Sequence, residues 1–127
     1  SGSMSGTLYV DTVSANTAII ANNHAEMHST SITTASVTQV TLDSWSTSTY
    51  RSAKYFVQMT SGSAYHIIEL SLLHNGTTVY LSQYGEIMTG SSLGTFDATI
   101  ATGTLSLLFT PTNAATTVKC YHMLVDA

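Results

Sequence analysis

A hairpin signal near the middle of the chain constrains the fold more than any other feature of the sequence. Asn75-Gly76 stands between two stretches in which apolar and polar residues alternate. Type I′ turns need a positive φ at both central positions, and Asn-Gly accommodates this, so the dipeptide predicts a tight β-hairpin. In the predicted pairing Leu72 lies opposite Val79, and Leu70 lies opposite Leu81.

The preceding segment extends the same pattern to a third strand. Ser61-Gly62-Ser63-Ala64 joins a predicted strand over Ala53–Thr60 to one over Tyr65–His74. Because a one-residue slip would turn the apolar side chains to the other face, their agreement across the strands favours one register. With Thr60 opposite Tyr65, the predicted facing pairs are Met59–His66, Val57–Ile68, Tyr55–Leu70 and Ala53–Leu72.

The rest of the C-terminal two thirds consists of similar short runs. Strands are predicted at Ala35–Leu42, with a bulge where Val37 and Val40 fall out of phase, and at Thr116–Val125. Such runs, separated by Gly, Asn, Ser and Thr, are typical of an all-β fold. We therefore predict an antiparallel β-sandwich, jelly-roll-like, of about seven to eight strands over residues 35–127. A third hairpin with Thr102-Gly103 as its loop pairs Ile100 with Leu105, Ala98 with Leu107 and Phe96 with Phe109.

The N-terminal third is less regular. Thr7–Val13 is predicted as a strand, whereas Ala18–His28 fits either a short helix or an irregular arm, and both remain open. Residues 4–34 are accordingly interpreted as an N-terminal strand and arm that precede the sandwich. Ser1-Gly2-Ser3 is interpreted as the scar of a cleaved purification tag.

Composition excludes several classes of partner. Charged residues make up 8% of the chain and its net charge is −4, so no basic surface for a nucleic acid is predicted. No apolar run approaches the roughly 18 residues of a membrane span, and no membrane insertion is predicted. The one cysteine, Cys120, excludes an internal disulfide and is predicted to be a buried thiol.

Three short motifs resemble sites but are better explained as structure. His24-Ala-Glu-Met-His28 would place two histidines on one helical face, yet it lacks the order of the metalloprotease motif. Gly90-Ser-Ser-Leu-Gly94 matches a nucleophile elbow that requires an α/β fold. Asn75-Gly-Thr77 is a glycosylation sequon that also forms the hairpin turn. We predict no catalytic residue, no cofactor and no metal.

Two groups of residues are candidates for contacts with partners. Asp43, Trp45 and Tyr50 suggest a glycan-stacking platform, with packing in the core as the alternative. The second group lies on the outer side of the predicted three-stranded unit, which is more apolar than a solvated face, so either another sheet or another subunit is expected to cover it. Its interface candidates are Lys54, Phe56, Ile67, Glu69, Leu73, Tyr80 and Tyr84.

Two of the three basic residues lie in one predicted strand. Lys54 lies diagonally across from Glu69, within reach of a cross-strand ion pair. Arg51 stands at the start of the strand, where alternation falters, and is predicted to anchor a loop or a neighbouring subunit.

Four motifs occur in order between Asp43 and Val125: YRSAKYFVQ, HNGTTVYLSQYGEI, SLGTFDATI and LSLLFTP. They resemble a β-rich module in virion structural proteins of marine bacteriophages, especially T4-like cyanophages. The resemblance implies a non-enzymatic virion component of a tail, fibre or other appendage, made in the cytoplasm of the bacterial host. Its partners would be itself, as a homotrimer by analogy, and other virion proteins. A module that binds host-surface glycan is the alternative.

Overall fold

The protein is an all-β molecule in the computed structural model, which describes residue 2 and residues 5–127. Ser1 and Ser3 of the predicted tag scar, and Met4 at the start of the predicted arm, lie outside the described residues. No helix in the described part of the chain is long and apolar enough to cross a membrane. The strands are β1 Ile19–Ala21, β2 Ala25–Thr33, β3 Val40–Ser46, β4 Tyr50–Ser61, β5 Ala64–His74, β6 Val79–Met88, β7 Gly94–Ala101, β8 Thr104–Pro111 and β9 Thr117–Asp126.

In the described part of the chain, nine strands form two sheets, and every pair is antiparallel. The larger sheet has the order β1-β2-β9-β4-β5-β6, and the smaller has the order β3-β8-β7. The predicted β-sandwich is therefore confirmed, with nine strands among the described residues instead of seven or eight. A jelly roll has eight strands in two Greek keys, and the division into six and three strands does not confirm that finer prediction.

The core lies between the two sheets, because each central strand buries every second side chain. The larger sheet contributes Tyr55, Val57 and Met59 from β4, while the smaller contributes residues such as Leu107 and Phe109 from β8, all with 0% exposure. Cys120 of β9 is buried in the same core, as predicted.

Two of the three predicted hairpins have the predicted register. Tyr55 pairs with Leu70 across β4 and β5, and Phe96 pairs with Phe109 across β7 and β8. The loop between β7 and β8 consists of Thr102 and Gly103, at φ of 52° and 77°. Positive φ at both positions is the condition of a type I′ turn, which fits the right-handed twist of the flanking strands.

The register predicted for the Asn75-Gly76 hairpin is wrong by two residues. Leu72 pairs with Leu81, not with Val79, and Leu70 pairs with Gln83, not with Leu81. The Oδ1 atom of Asn75 accepts hydrogen bonds from the backbone N–H groups of Thr77 (3.1 Å) and Thr78 (2.8 Å), which widens the loop to four residues. A shift of two residues leaves the same side chains on the same face.

A bulge interrupts β6 near its C-terminal end. Glu69 pairs with Tyr84 and Ile67 pairs with Ile87, so Gly85 and Glu86 together lie opposite one residue of β5. Gly85 has a φ of 65°, and a Cβ atom there would lie 2.9 Å from Oε2 of Glu69. The bulge turns Glu86 towards the buried His66. Oε2 of Glu86 lies 2.7 Å from Nε2 of His66.

The N-terminal third differs most from the predictions. The helix considered over Ala18–His28 is not formed, because β1 and β2 make a hairpin there and β2 pairs along its length with β9. Thr7–Val13 is not a strand in the structure. The strand expected at Ala35–Leu42 instead begins at Val40, and its bulge lies between Thr41 and Asp43.

Candidate functional site

The candidate functional site is the outer face, defined here as the surface of the six-stranded sheet that points away from the three-stranded sheet. Strand alternation places one row across β9, β4, β5 and β6 at Val125, Ser52, Leu73 and Tyr80. All seven interface candidates lie on this face: Lys54, Phe56, Ile67, Glu69, Leu73, Tyr80 and Tyr84. Whether they contact a partner stays a prediction.

Large apolar side chains of the outer face are exposed to solvent. The exposed fraction is 42% for Phe56, 51% for Leu73 and 55% for Tyr80. The smaller sheet, which is the second sheet that the sequence predicted, covers the other side of the six-stranded sheet. It therefore leaves these outer-face residues uncovered. The structure adds three exposed residues of β9 that sequence reasoning missed, namely Tyr121, Met123 and Val125. Only the pairing of β9 with β4 places them here, and no local pattern indicated it.

A groove of about 490 Å³ crosses the outer face where β9, β4, β5 and β6 meet. Leu73 and Tyr80 line it from one side, and Met123 and Val125 line it from the other. Ser52, Ser71 and Ser82 have short side chains along its floor, which is why a depression forms between the larger residues. The groove is lined mainly by apolar surface, so it fits an apolar side chain of a partner better than a charged one.

The predicted ion pair on the outer face is confirmed. Nζ of Lys54 lies 3.6 Å from Oε1 of Glu69 and 5.6 Å from the centre of the Tyr84 ring. The contact with Tyr84, together with the charge of Glu69, raises the pKa of the Lys54 amine. The hydroxyl of Tyr84 also lies 3.1 Å from Oγ of Ser71. Lys54 is thus held within the face by neighbours on β5 and β6.

Arg51, which was predicted to anchor a loop or a neighbouring subunit, bonds to His74 at the end of β5, next to the loop of residues 75–78. Its Nη1 atom donates to the backbone carbonyl of His74 (3.3 Å). The buried ring of His74 donates through Nε2 to the carbonyl of Tyr50 (2.7 Å) and accepts at Nδ1 from the N–H of Gly76 (3.0 Å). These bonds join the start of β4 to the end of β5.

Asp43, Trp45 and Tyr50 belong to a different region, inside the sandwich. Trp45 is 7% exposed, and its Nε1–H donates to the hydroxyl of Tyr55 (3.0 Å). That hydroxyl donates to Oδ2 of Asp43 (2.6 Å), and Nε2 of His122 lies 3.1 Å from the same oxygen. We call Asp43, Trp45, Tyr55 and His122 the polar cluster. Contact of Asp43, Trp45 and Tyr50 with a glycan stays a prediction.

The electrostatics of the polar cluster stabilise a charged Asp43. Burial by itself would raise the pKa of this carboxyl group, but hydrogen bonds from His122 and Tyr55 outweigh burial, so the pKa is lowered. Burial and the nearby carboxylate raise the pKa of Tyr55 far above its usual value, so it stays a donor. The cluster therefore holds one carboxylate among fixed donors between the sheets.

A second carboxylate lies beside the polar cluster. The ring of His122 stacks on Tyr55 at 4.6 Å and on His28 at 5.3 Å, between ring centres. Glu26 accepts a hydrogen bond from the hydroxyl of Tyr50, which lowers the pKa of Glu26. Burial and this carboxylate raise the pKa of Tyr50 to about 12.

The histidines of the His24–His28 motif pair with carboxylates. Nδ1 of His24 lies 2.9 Å from Asp126, and Nε2 of His28 lies 3.1 Å from Glu26. Among the described residues, no three or more His, Cys, Asp or Glu side chains are grouped as a metal site would need. Burial raises the pKa of the Cys120 thiol to about 12, so this thiol is not activated as a nucleophile.

No protein-family model matches this sequence, and no curated protein matches it. Solved structures with a similar fold include two phage tailspike proteins. The tailspike protein of Acinetobacter phage vB_ApiP_P1 matches 96% of this chain with a TM-score of 0.53 and 13% identity. The tailspike protein gp49 of Acinetobacter baumannii bacteriophage Fri1, a capsular polysaccharide depolymerase, matches 86% with a TM-score of 0.52 and 12% identity.

The chain spans only part of these two tailspike proteins, 26% of the first and 19% of the second. At such low identity the similarity concerns the fold and not the chemistry of any residue. The sandwich described here therefore has counterparts within longer phage tailspike chains.

Proposed function

We propose that this chain is a non-enzymatic structural module of a bacteriophage virion that associates with copies of itself through the outer face. It would form part of a tail, fibre or other appendage and contact other virion proteins there. The observation that carries the proposal is the outer face, where Phe56, Leu73 and Met123 are each at least 42% exposed on one rigid sheet. Apolar surface of this extent on a soluble protein marks an interaction site.

The fold similarity supports the assignment to a phage tail. Both tailspike proteins are much longer than this chain, and each includes a domain of the same fold. The attribution to marine T4-like phages rests on the sequence motifs between Asp43 and Val125. A homotrimer is our first expectation for the assembly, by analogy with phage fibres.

Binding of host-surface glycan is the second candidate function. One of the two tailspikes is a capsular polysaccharide depolymerase, and the groove on the outer face is bordered by the aromatic ring of Tyr80. An exposed aromatic ring beside a groove is a common platform for a sugar ring. In this alternative the groove takes a glycan instead of a side chain of another subunit.

Light scattering on the purified protein tests the leading proposal. We expect a mass that is an integral multiple of one chain, three being favoured. Leu73→Asp combined with Met123→Asp should weaken association by about 30-fold or more, since burying one anchor residue contributes about 2 kcal/mol. Both side chains are exposed, so the variant should fold normally.

The matched control is Thr95→Asp combined with Thr99→Asp on β7. Both threonines are exposed on the smaller sheet, so this variant adds the same charge far from the outer face. It should keep the mass of the unaltered protein. A wild-type protein that stays monomeric at high concentration, or two variants that behave alike, would contradict self-association through the outer face.

A further inference from the structure

The free edge of β6 is open to pairing with another strand. β6 is the last strand of the larger sheet, and within the described residues it pairs only with β5. Alternate N–H and C=O groups along Val79–Tyr84 therefore point away from the sheet. Proteins usually protect such an edge with lysine or proline, and neither occurs between Val79 and Met88. The bulge at Gly85 disturbs only the far end of this edge.

The N-terminal arm, defined as residues 5–18, contains a segment that could form a strand but is not part of either sheet. Its sequence Thr7–Val13 is rich in β-formers, yet it is not a strand. Among the described residues it makes no backbone–backbone hydrogen bond. Leu8 is 61% exposed, Tyr9 is 89% exposed and Val10 is 51% exposed. The arm is a strand-forming segment without a sheet.

The arm and the edge match in length and pattern. Thr7–Val13 spans about 23 Å as a strand, and Val79–Tyr84 spans about 20 Å, at roughly 3.3 Å per residue. Leu8 and Val10 would share one face of an added strand, beside Val79 and Leu81 at the margin of the core. Tyr9 would then extend the outer face beside Tyr80. An added strand would satisfy the backbone of both segments.

The arm of the same chain cannot reach this edge. The arm precedes β1, which lies at the opposite side of the six-stranded sheet from β6. A strand added beyond β6 would lie six strand spacings from β1, about 29 Å at roughly 4.8 Å each. The six residue steps from Val13 to Ile19 cover at most about 22 Å. The strand that fills the edge must therefore come from another molecule.

We propose that residues Thr7–Val13 of one copy add as a strand to the free edge of β6 of a second copy. This exchange rests on the proposed self-association and names the segment that completes it. Main-chain hydrogen bonds supply much of the affinity in such strand addition, while Leu8 and Val10 set the register. Because each chain has one arm and one β6 edge, the exchange can also close in a ring.

Leu8→Asp combined with Val10→Asp tests the exchange by light scattering of the 127-residue protein. We expect the subunit affinity to fall by at least about 10-fold, since both side chains must leave water. The control is Ser14→Asp combined with Asn16→Asp, which adds equal charge to the arm outside Thr7–Val13. If the arm variant assembles as well as this control, the exchange is wrong. Self-association through the outer face would still be tested separately, by the variant with Leu73→Asp and Met123→Asp.

A cross-linking experiment tests the geometry directly. Tyr9→Cys protein is mixed under mild oxidation with protein carrying Tyr80→Cys or Ser82→Cys. Cys120 is buried and should not compete. We expect a covalent heterodimer with at least one of the two β6 variants, because opposed residues of paired strands lie within disulfide range. No more product than with a Thr99→Cys control would overturn the exchange.

Discussion

At the scale of single residues, the polar cluster shows how buried polar groups stabilise this sandwich. Asp43, Tyr55 and Trp45 form a chain in which each donor has an acceptor. Among the described residues, no buried side-chain nitrogen or oxygen lacks a hydrogen-bond partner. Fully satisfied networks of this kind favour one arrangement of the core, whereas removing one member leaves the others unpaired.

Asp43→Asn should lower the free energy of unfolding by about 1–3 kcal/mol at neutral pH, because a neutral amide oxygen forms weaker hydrogen bonds with Tyr55 and His122 than the carboxylate does. The pKa of Asp43 is lowered in the folded state, so the unfolded state binds more protons as pH falls. The stabilisation by Asp43 is present above the unfolded pKa of about 4 and disappears as pH falls through the folded pKa. Urea unfolding at several pH values measures it.

The difference between the wild-type protein and Asp43→Asn should therefore shrink below about pH 4. Asp97→Asn is the control, since Asp97 is exposed on β7 and its carboxylate accepts a local hydrogen bond from the backbone N–H of Ala98. It should change stability little at any pH. A constant difference between wild type and Asp43→Asn from pH 7 to pH 2 would show that the carboxylate charge does not contribute.

The sequence predicts only part of the polar cluster. Asp43, Trp45 and Tyr50 were grouped because they are close along the chain. In the structure, the hydroxyl of Tyr55 links Trp45 to Asp43 through two hydrogen bonds. His122 and Glu26 could not be assigned to the same region. Glu26 and His122 are brought to this region by the pairing of β2 with β9 and of β9 with β4. Pairings between strands so far apart in the sequence leave no local pattern that could predict them.

At the scale of strands, the presence of local hairpins was predictable, whereas the register of one of them and the long-range pairs were not. The pairing of Val57 with Ile68 follows from a short turn and from alternation on one face. The pairing of Leu72 with Leu81 does not, because the Asn75 side chain bonds to Thr78 and lengthens the loop. β2 has apolar residues on both of its sides, with Met27 on one and Ile32 on the other, so its sequence does not distinguish a strand from an irregular arm.

Gly94 illustrates a strand residue whose small size is required. It begins β7, and a Cβ atom there would lie 2.3 Å from the Phe109 ring and 2.8 Å from the carbonyl oxygen of Thr110. Gly94→Ala should therefore lower the free energy of unfolding by about 1–3 kcal/mol through overpacking. Thermal unfolding followed by circular dichroism measures the loss.

Gly90→Ala is the matched control for this substitution. A Cβ atom at Gly90 would meet nothing within 4 Å, and Gly90 does not have a positive φ. It should leave stability unchanged or raise it slightly, because alanine restricts the unfolded chain. Equal effects at the two glycines would show that the ring of Phe109 moves aside without cost.

At the scale of the whole molecule, the unequal sheets explain why the surface is not uniformly polar. Three strands cover one side of a six-stranded sheet, and the other side keeps Phe56, Leu73 and Tyr80 exposed. Serine and threonine, with few charges, keep the remaining surface hydrated. A low density of charge reduces the electrostatic repulsion between copies that approach each other.

Incubation with capsular polysaccharide of Acinetobacter baumannii tests the proposed lack of enzymatic activity. We expect no increase in reducing ends over hours, because the cluster that contains Asp43 is buried with Trp45 at 7% exposure and its donors already engaged. Depolymerase activity above that of a heat-denatured sample would contradict a purely structural role. Saturable binding without cleavage would favour the glycan-binding alternative.

The central position of β9 has a consequence for biosynthesis. β9 follows every other strand in the chain, yet it lies between β2 and β4 in the larger sheet. A ribosome therefore releases the β4–β5–β6 meander before the strand that joins it to β2 exists. Until then the edges of β2 and β4 are unpaired, and the slow, non-local step of folding comes last. Crowded nascent chains would be most prone to mispairing during that interval.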